Sequence, residues 1–136
     1  MSNCPFCRIV SGDASAYLLH EGERTLSFLD TSPVSCGHSL TVPKVHYEQL
    51  TDVPPDLVSE LFVDTHRIAN AIDSLLNPSG LNLIQSNGAA ASQDVFHVHT
   101  HVIPRNDGDA MDIQWGHGNL DDECATELTR NVSELL

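Results

Sequence analysis

The sequence predicts an α+β fold on three observations: short apolar runs broken by turn residues, one long stretch of helical periodicity, and two further strand-like runs after it. Its 136 residues suit one ordinary domain, 1–136, and a 40% hydrophobic content is enough to fill a single core.

Residues 5–10 form the first expected element, a short helix opened by Pro5 and closed near Gly12. Residues 17–20 and 25–29 read as two strands around the turn Glu21-Gly22-Glu23, and residues 39–42 as a third before Pro43. The long helix follows Thr51 or Asp52 as a cap. It carries Leu57, Leu61, Ile68, Ile72 and Leu75 on one face, with Val58, Phe62, Ala69 and Leu76 beside them, a stripe that should lie against the sheet. Asn77-Pro78-Ser79-Gly80 stops it. Residues 81–85 and 95–103 then make the fourth and fifth strands, the latter ending before Pro104. Leu120, Cys124, Leu128, Val132 and Leu135 recur at helical spacing after a start within residues 119–122, so a C-terminal helix closes the chain.

The charge excludes some functions. Nineteen acidic residues stand against five arginines and the single lysine Lys44, a formal net charge of -13. Such a surface repels phosphate backbones, so no nucleic-acid partner is expected. It resembles the surfaces of proteins from salt-loving cells such as haloarchaea, where concentrated salt screens the self-repulsion; an acidic protein of an ordinary cell is the plainer reading. No run approaches the roughly 18 apolar residues of a membrane span, and no secretory segment opens the chain, so no membrane partner is expected either. Cys4 and Cys7 are closely paired while Cys36 and Cys124 stand alone, which suits reduced cysteines in the cytoplasm better than a disulfide framework.

The chemistry concentrates in His97-Val98-His99-Thr100-His101. On an extended strand these three histidines would face one way, successive rings about 6.8 Å apart. One buried histidine is usually structural, but three aligned imidazoles are costly to bury without a use. Two uses fit the pattern. Neutral imidazoles can hold a catalytic zinc with a position left open for water. Alternatively, one ring nitrogen can attack phosphorus while the other donates to a carbonyl that fixes the tautomer.

The stretch from Gln93 through His97-Val98-His99-Thr100-His101 to Val102-Ile103-Pro104-Arg105 resembles the motif of the histidine-triad (HIT) family. Phe28-Leu29-Asp30-Thr31-Ser32-Pro33, Gly37-His38 through Pro43-Lys44-Val45-His46, and Asn87-Gly88 resemble further family blocks in family order. The resemblance covers residues 4–105 and leaves 106–136 as a C-terminal extension. It implies a HIT-like fold: an antiparallel sheet of about five strands, one long helix packed on it, and short N-terminal and C-terminal helices.

For function the resemblance implies a nucleotide-binding hydrolase or transferase. It would cleave a phosphoramidate or phosphoanhydride at the α-phosphate of a purine nucleotide conjugate, through a nucleotidyl-histidine on His99. His101, Gln93, Asn87 and His38 match positions around the phosphate. Asp30 matches the ribose-binding acid, although a turn or cap aspartate is the plainer reading; Asn87-Gly88 likewise is a common turn pair. Phe6, Ile9, Phe28 and Thr31 fall at the base pocket, where ordinary core residues would look the same. Ser92 departs from the family's usual glycine. Asp94 stands where many members have a serine, threonine or other residue near the leaving group.

Cys4-Pro5-Phe6-Cys7 has a zinc-gripping spacing. The resemblance, shared with galactose-phosphate uridylyltransferases, implies a structural zinc on Cys4, Cys7, His46 and His97, with two reduced core cysteines as the plainer alternative. It implies a homodimer and no organic cofactor. The competing functions are a zinc-dependent hydrolase using all three triad histidines as ligands and a non-enzymatic nucleotide sensor or interaction protein. His20, His66 and His117 read as solvated surface.

Overall fold

The computed structural model describes residues 3–136. Helix α1 (Pro5–Ser11) starts at Cys4, whose Sγ accepts from the Cys7 N–H, and stops at Gly12, whose φ of 84° suits glycine and whose N–H reaches Ile9 O. Strands β1 (Leu18–Glu21), β2 (Thr25–Leu29) and β3 (Ser39–Pro43) follow, then the long helix α2 (Pro55–Leu76), β4 (Gly80–Gln85), β5 (Thr100–Arg105) and α3 (Asp122–Leu135). All neighbours pair antiparallel in the order β1-β2-β3-β5-β4. The α+β expectation of five strands under one long helix is met.

The two faces of the sheet are built differently. Leu26, Phe28, Leu40 and Val42 pack on Phe6 of α1, forming the apolar face. The face toward α2 is hydroxyl-rich at its centre. There Ser27 bonds Thr41 at 2.8 Å and Thr65 of α2 bonds Thr100 at 2.7 Å. Thr25 donates to Asp64, which is almost wholly buried and also holds Arg67 at 3.1 Å. Buried polar groups of this kind persist only when paired. Ile68, Ala69 and Ile72 close on Val102 farther along the helix, and Val53 and Leu57 on Val98.

Three expectations are corrected. Neither Thr51 nor Asp52 caps α2; both lie in a short 3-10 turn, Leu50–Asp52, and the helix is entered through Pro54 with no side-chain cap. The Asp52 carboxylate accepts from the Gln49 N–H at 3.3 Å, three residues upstream, and so is spent before the helix begins. The helix stripe is also less covered than expected: Leu75, in the last turn, is 79% exposed, and Leu76 and Phe62 are half exposed, Phe62 lying about 100° round the helix from the wholly buried Leu61.

The third correction concerns the histidine run. β5 begins at Thr100, and residues 95–99 are not in the sheet. The register explains this: Thr100 pairs with Thr41 on one side and with Gln85, the last residue of β4, on the other. Upstream of Thr100 the β4 ladder has run out and the chain leaves β3, its backbone tied by Val98 N–H to Tyr47 O. Only His101 of the triad is therefore on a strand.

Candidate active site

Leaving the sheet at Thr100 gives each triad histidine its own surroundings. His101 projects from β5 on the face shared with its partner Leu40. His99 stands just ahead of it, the two ring centres 4.9 Å apart. His97 is turned away, its ring 4.8 Å from His46.

His99 is 4% exposed, and its Nδ1 lies 2.7 Å from His97 O. A carbonyl only accepts, so Nδ1 carries the proton and Nε2 keeps its lone pair. That nitrogen serves a cavity of ≈ 270 Å³ whose walls include Phe6, Ile9, Phe28, Asp30, Thr31 and His101. The four residues expected at a base pocket are thus together on one wall. Asp94 also reaches it, Oδ1 lying 3.8 Å from His99 Nε2.

A second tautomer chain fixes His101. The Val34 N–H donates to His38 Nδ1 at 3.0 Å, which leaves the proton on His38 Nε2, and this nitrogen donates to His101 Nδ1 at 2.9 Å. His101 Nε2 then bears a proton and is a donor. His38 is buried, does not line the cavity, and in the fold serves to aim His101, which does. Asp30 Oδ2 lies 3.5 Å from His38 Nε2, while Oδ1 accepts from the Ser32 N–H at 2.8 Å. The turn reading of Asp30 is correct as far as it goes, and the same carboxylate also lines the cavity.

Gln93 and Asn87 are engaged within the loop. Gln93 accepts from the Gly88 N–H and donates to the carbonyls of Glu48 and Val95. Asn87 accepts from the Leu50 N–H and exchanges amide bonds with Gln85. Their observed work is to staple the loop 86–95 to the segment before α2. Ser92, at the position where a glycine was expected, adopts φ 69°, the left-handed conformation that favours glycine.

Burial holds His101 down at about 4, with the charges of His99 and His38 adding to it, and lowers His38 as well. Both imidazoles are neutral in the folded chain, whereas unfolded they titrate near 6.5. Their contribution to stability is whole above pH 6.5 and drains away toward pH 4, because only the unfolded chain takes up the protons. Thermal melts at constant ionic strength should show the midpoint falling over this window, and the His38→Gln, His101→Gln double variant should flatten the fall.

The four residues implied as zinc ligands also converge. Cys4 Sγ lies 3.3 Å and Cys7 Sγ 3.5 Å from His97 Nδ1, and Cys7 Sγ 3.4 Å from His46 Nδ1. Sulfur and nitrogen bound to one tetrahedral zinc sit about 3.5 Å apart, from bond lengths near 2.3 and 2.0 Å. His97 Nε2 donates to Pro43 O at 2.8 Å, which leaves Nδ1 as the lone-pair nitrogen facing the thiols. The donor set fits zinc. A second group, Asp30, His38 and His101, also lies close together, but its two imidazoles are bonded to each other.

The model of the HIT domain matches residues 11–108. The chain belongs to the HIT family. Its relatives in the family include the adenylylsulfatase HINT3 of Arabidopsis thaliana, 41% identical over 135 residues; the match spans 99% of this chain and 66% of that protein. The crystal structure of a HIT family member from Bacillus subtilis superposes with a TM-score of 0.92 at 36% identity, over 99% of this chain and 98% of that one. A zinc-bound histidine triad family protein from Mycobacterium smegmatis is 40% identical, with a TM-score of 0.75 over 98% and 95%. The HIT-like fold expected from the motif blocks is therefore the fold of this chain. Among the described residues, no helix is long and apolar enough to cross a membrane.

A polar pair on the buried face of α2 was not foreseen from the sequence. Asp64 and Thr65 continue the spacing of Leu57, Leu61, Ile68 and Ile72, and that register was the available signal. His66 is exposed as expected, bonded only to Asn70 among the described contacts.

Proposed function

We propose that the chain hydrolyses a purine nucleotide conjugate at its α-phosphate through a covalent intermediate on His99. The observation that carries this is the bare Nε2 of a buried imidazole, locked in its tautomer and aimed into a cavity with apolar and carboxylate walls. Attack forms the Nε2–P bond as the bond to the leaving group breaks, the leaving group taking its electron pair and a proton from solvent. Water then adds to phosphorus, the Nε2–P bond breaks, and the nucleotide departs with His99 restored. His101, as a fixed donor, would stabilise charge on the phosphate oxygens, with Asn87 and Gln93 holding the loop around them. Asp30 would accept the ribose hydroxyls, and Phe6, Ile9, Phe28 and Thr31 would enclose the base.

Zinc on Cys4, Cys7, His46 and His97 would supply structure, pinning α1 beside the nucleophile. The rival reading, all three triad histidines on one metal, is disfavoured by the pairing of His99 Nδ1 with a carbonyl and by the separate grouping of His97 with the cysteines. A homodimer in the cytoplasm completes the proposal. Supporting it, β4 is an edge strand bearing a half-exposed Leu83, next in sequence to the exposed end of α2.

The test is trapping. Incubation with an adenylated alkylamine and an alkaline quench should leave an adenylyl adduct by intact mass, absent from His99→Ala. An adduct that forms but never turns over would favour the sensor reading, and no adduct with full turnover would refute the covalent route.

A further inference from the structure

The position after Gln93 carries a carboxylate with a particular placement. Asp94 Oδ1 accepts from the Val95 N–H at 2.9 Å and lies 3.8 Å from His99 Nε2. The side chain is 80% exposed, so nothing in the fold requires it there. It stands at the junction of two spaces: the nucleotide cavity and an adjoining cleft of ≈ 370 Å³ walled by Pro5, His46, Glu48, Val95 and Phe96. A ligand at this junction is indicated independently by His99, 4% exposed, whose Nε2 makes no hydrogen bond and opens into the cavity.

The cleft has the wrong charge for an anion. Glu48 and Asp94 line it, no lysine or arginine does, and the zinc proposed on Cys4 and His46 of its wall would have its charge offset by the two thiolates. Four of the six cations are committed elsewhere, Arg24 to Asp56 and Glu60, Lys44 to Glu21, Arg67 to Asp64 and Arg105 to Asp109, and the other two, Arg8 and Arg130, line neither space. Sites that expel phosphate or sulfate groups supply positive donors for the departing charge. Here Pro5, Val95 and a half-exposed Phe96 offer apolar surface, and two carboxylates offer negative charge.

We propose that Asp94, aided by Glu48, selects the leaving group by charge, so that the site takes alkylamine phosphoramidates and discriminates against conjugates whose leaving group is anionic. This rests on the reading of His99 as nucleophile. As the P–Nε2 bond forms, the amide nitrogen takes one proton from cleft water and the P–N bond breaks with its pair going to nitrogen; the amine so released takes a second proton from solvent and leaves as an ammonium ion. Positive charge thus appears beside two carboxylates. A sulfate or polyphosphate leaving group would instead place its negative charge there, against like charge. The direction is opposite to that suggested by the adenylylsulfatase name of the Arabidopsis relative.

The experiment compares kcat/KM for the adenosine 5′-phosphoramidate of an alkylamine with that for diadenosine tetraphosphate and for adenosine 5′-phosphosulfate, in the full chain and in Asp94→Asn and Asp94→Ser. Wild type should favour the phosphoramidate, and each variant should lower the amine-to-anion ratio by about tenfold, an effect that shrinks as salt screens the carboxylate. A ratio unchanged within about twofold in both variants, with all substrates still turned over, would overturn the role of Asp94 alone. Wild type that cleaves none of the three and forms no adduct would overturn the His99 reading and this one with it. A uniform loss on all substrates at constant ratio would make Asp94 a positioning residue and refute the charge selection.

Discussion

His99→Gln is expected to lower kcat by about 10⁴-fold or more, the scale seen when a covalent nucleophile is removed from an otherwise intact site. Glutamine suits the test because the imidazole is held mainly by shape and one hydrogen bond. Its ring meets Phe6 edge-on at 5.1 Å and His101 at 4.9 Å, and its Nδ1 bonds His97 O. A carboxamide can fill most of that slot and keep a donor toward the carbonyl, so the fold, bound metal and nucleotide affinity should survive while the attacking lone pair is lost. Rapid-quench kinetics and equilibrium binding of a mononucleotide separate the two outcomes. Residual turnover above about a hundredth of wild type would mean that another group or water attacks phosphorus; a matching loss of zinc would revive the triad as a metal site.

Removing the metal should produce the second large effect. Purified without chelators, the protein should carry close to one zinc per chain, and chelation or Cys4→Ser should cost about 3 kcal/mol or more, roughly a 10 °C drop in Tm for a chain of this size. The reason lies in what the knot joins: Cys4 and Cys7 at the start of α1, His46 after β3, and His97 ahead of β5. Without a central cation, two thiols and two imidazoles are left packed against one another, and His97 is wholly buried. His97→Ala should therefore register first as lost stability, with catalysis falling only as the site loosens. Zinc below about one-tenth of an equivalent, with melting unaffected by chelator, would refute the site.

The fold was legible where periodicity and punctuation carry it. The stop of helix α2 at Asn77 and four of the five strands lie within a residue or so of where the sequence places them, while the helix starts two or three residues later. The fifth strand was misplaced because alternation of His97, His99 and His101 satisfies the strand pattern equally well whether or not a neighbour is present. Only the ends of β3 and β4, a tertiary fact, decide that pairing begins at Thr100. The convergence of Cys4, Cys7, His46 and His97 was implied by resemblance and could not be had from spacing across so many intervening residues. His38, Asn87 and Gln93 were legible as site residues but not in their tasks, since whether a polar group faces the cavity or the loop behind it depends on partners such as Val34 N–H and Glu48 O. The Thr25–Asp64 pair gave no signal beyond an acid in an apolar stripe.

Phe6 joins these two halves of the molecule. It stands between Cys4 and Cys7 in sequence, yet its ring meets Phe28 at 5.5 Å and forms part of the cavity wall. The first turn of α1 thus carries two of the proposed zinc ligands on either side of a residue that walls the cavity. Binding free energies that share a wall are reciprocal: whatever factor bound metal adds to nucleotide affinity, bound nucleotide returns to metal affinity. With zinc held as proposed, the residence time of the ion would depend on the cell's nucleotide pool as well as on four ligands, and starvation for either would be felt at the other.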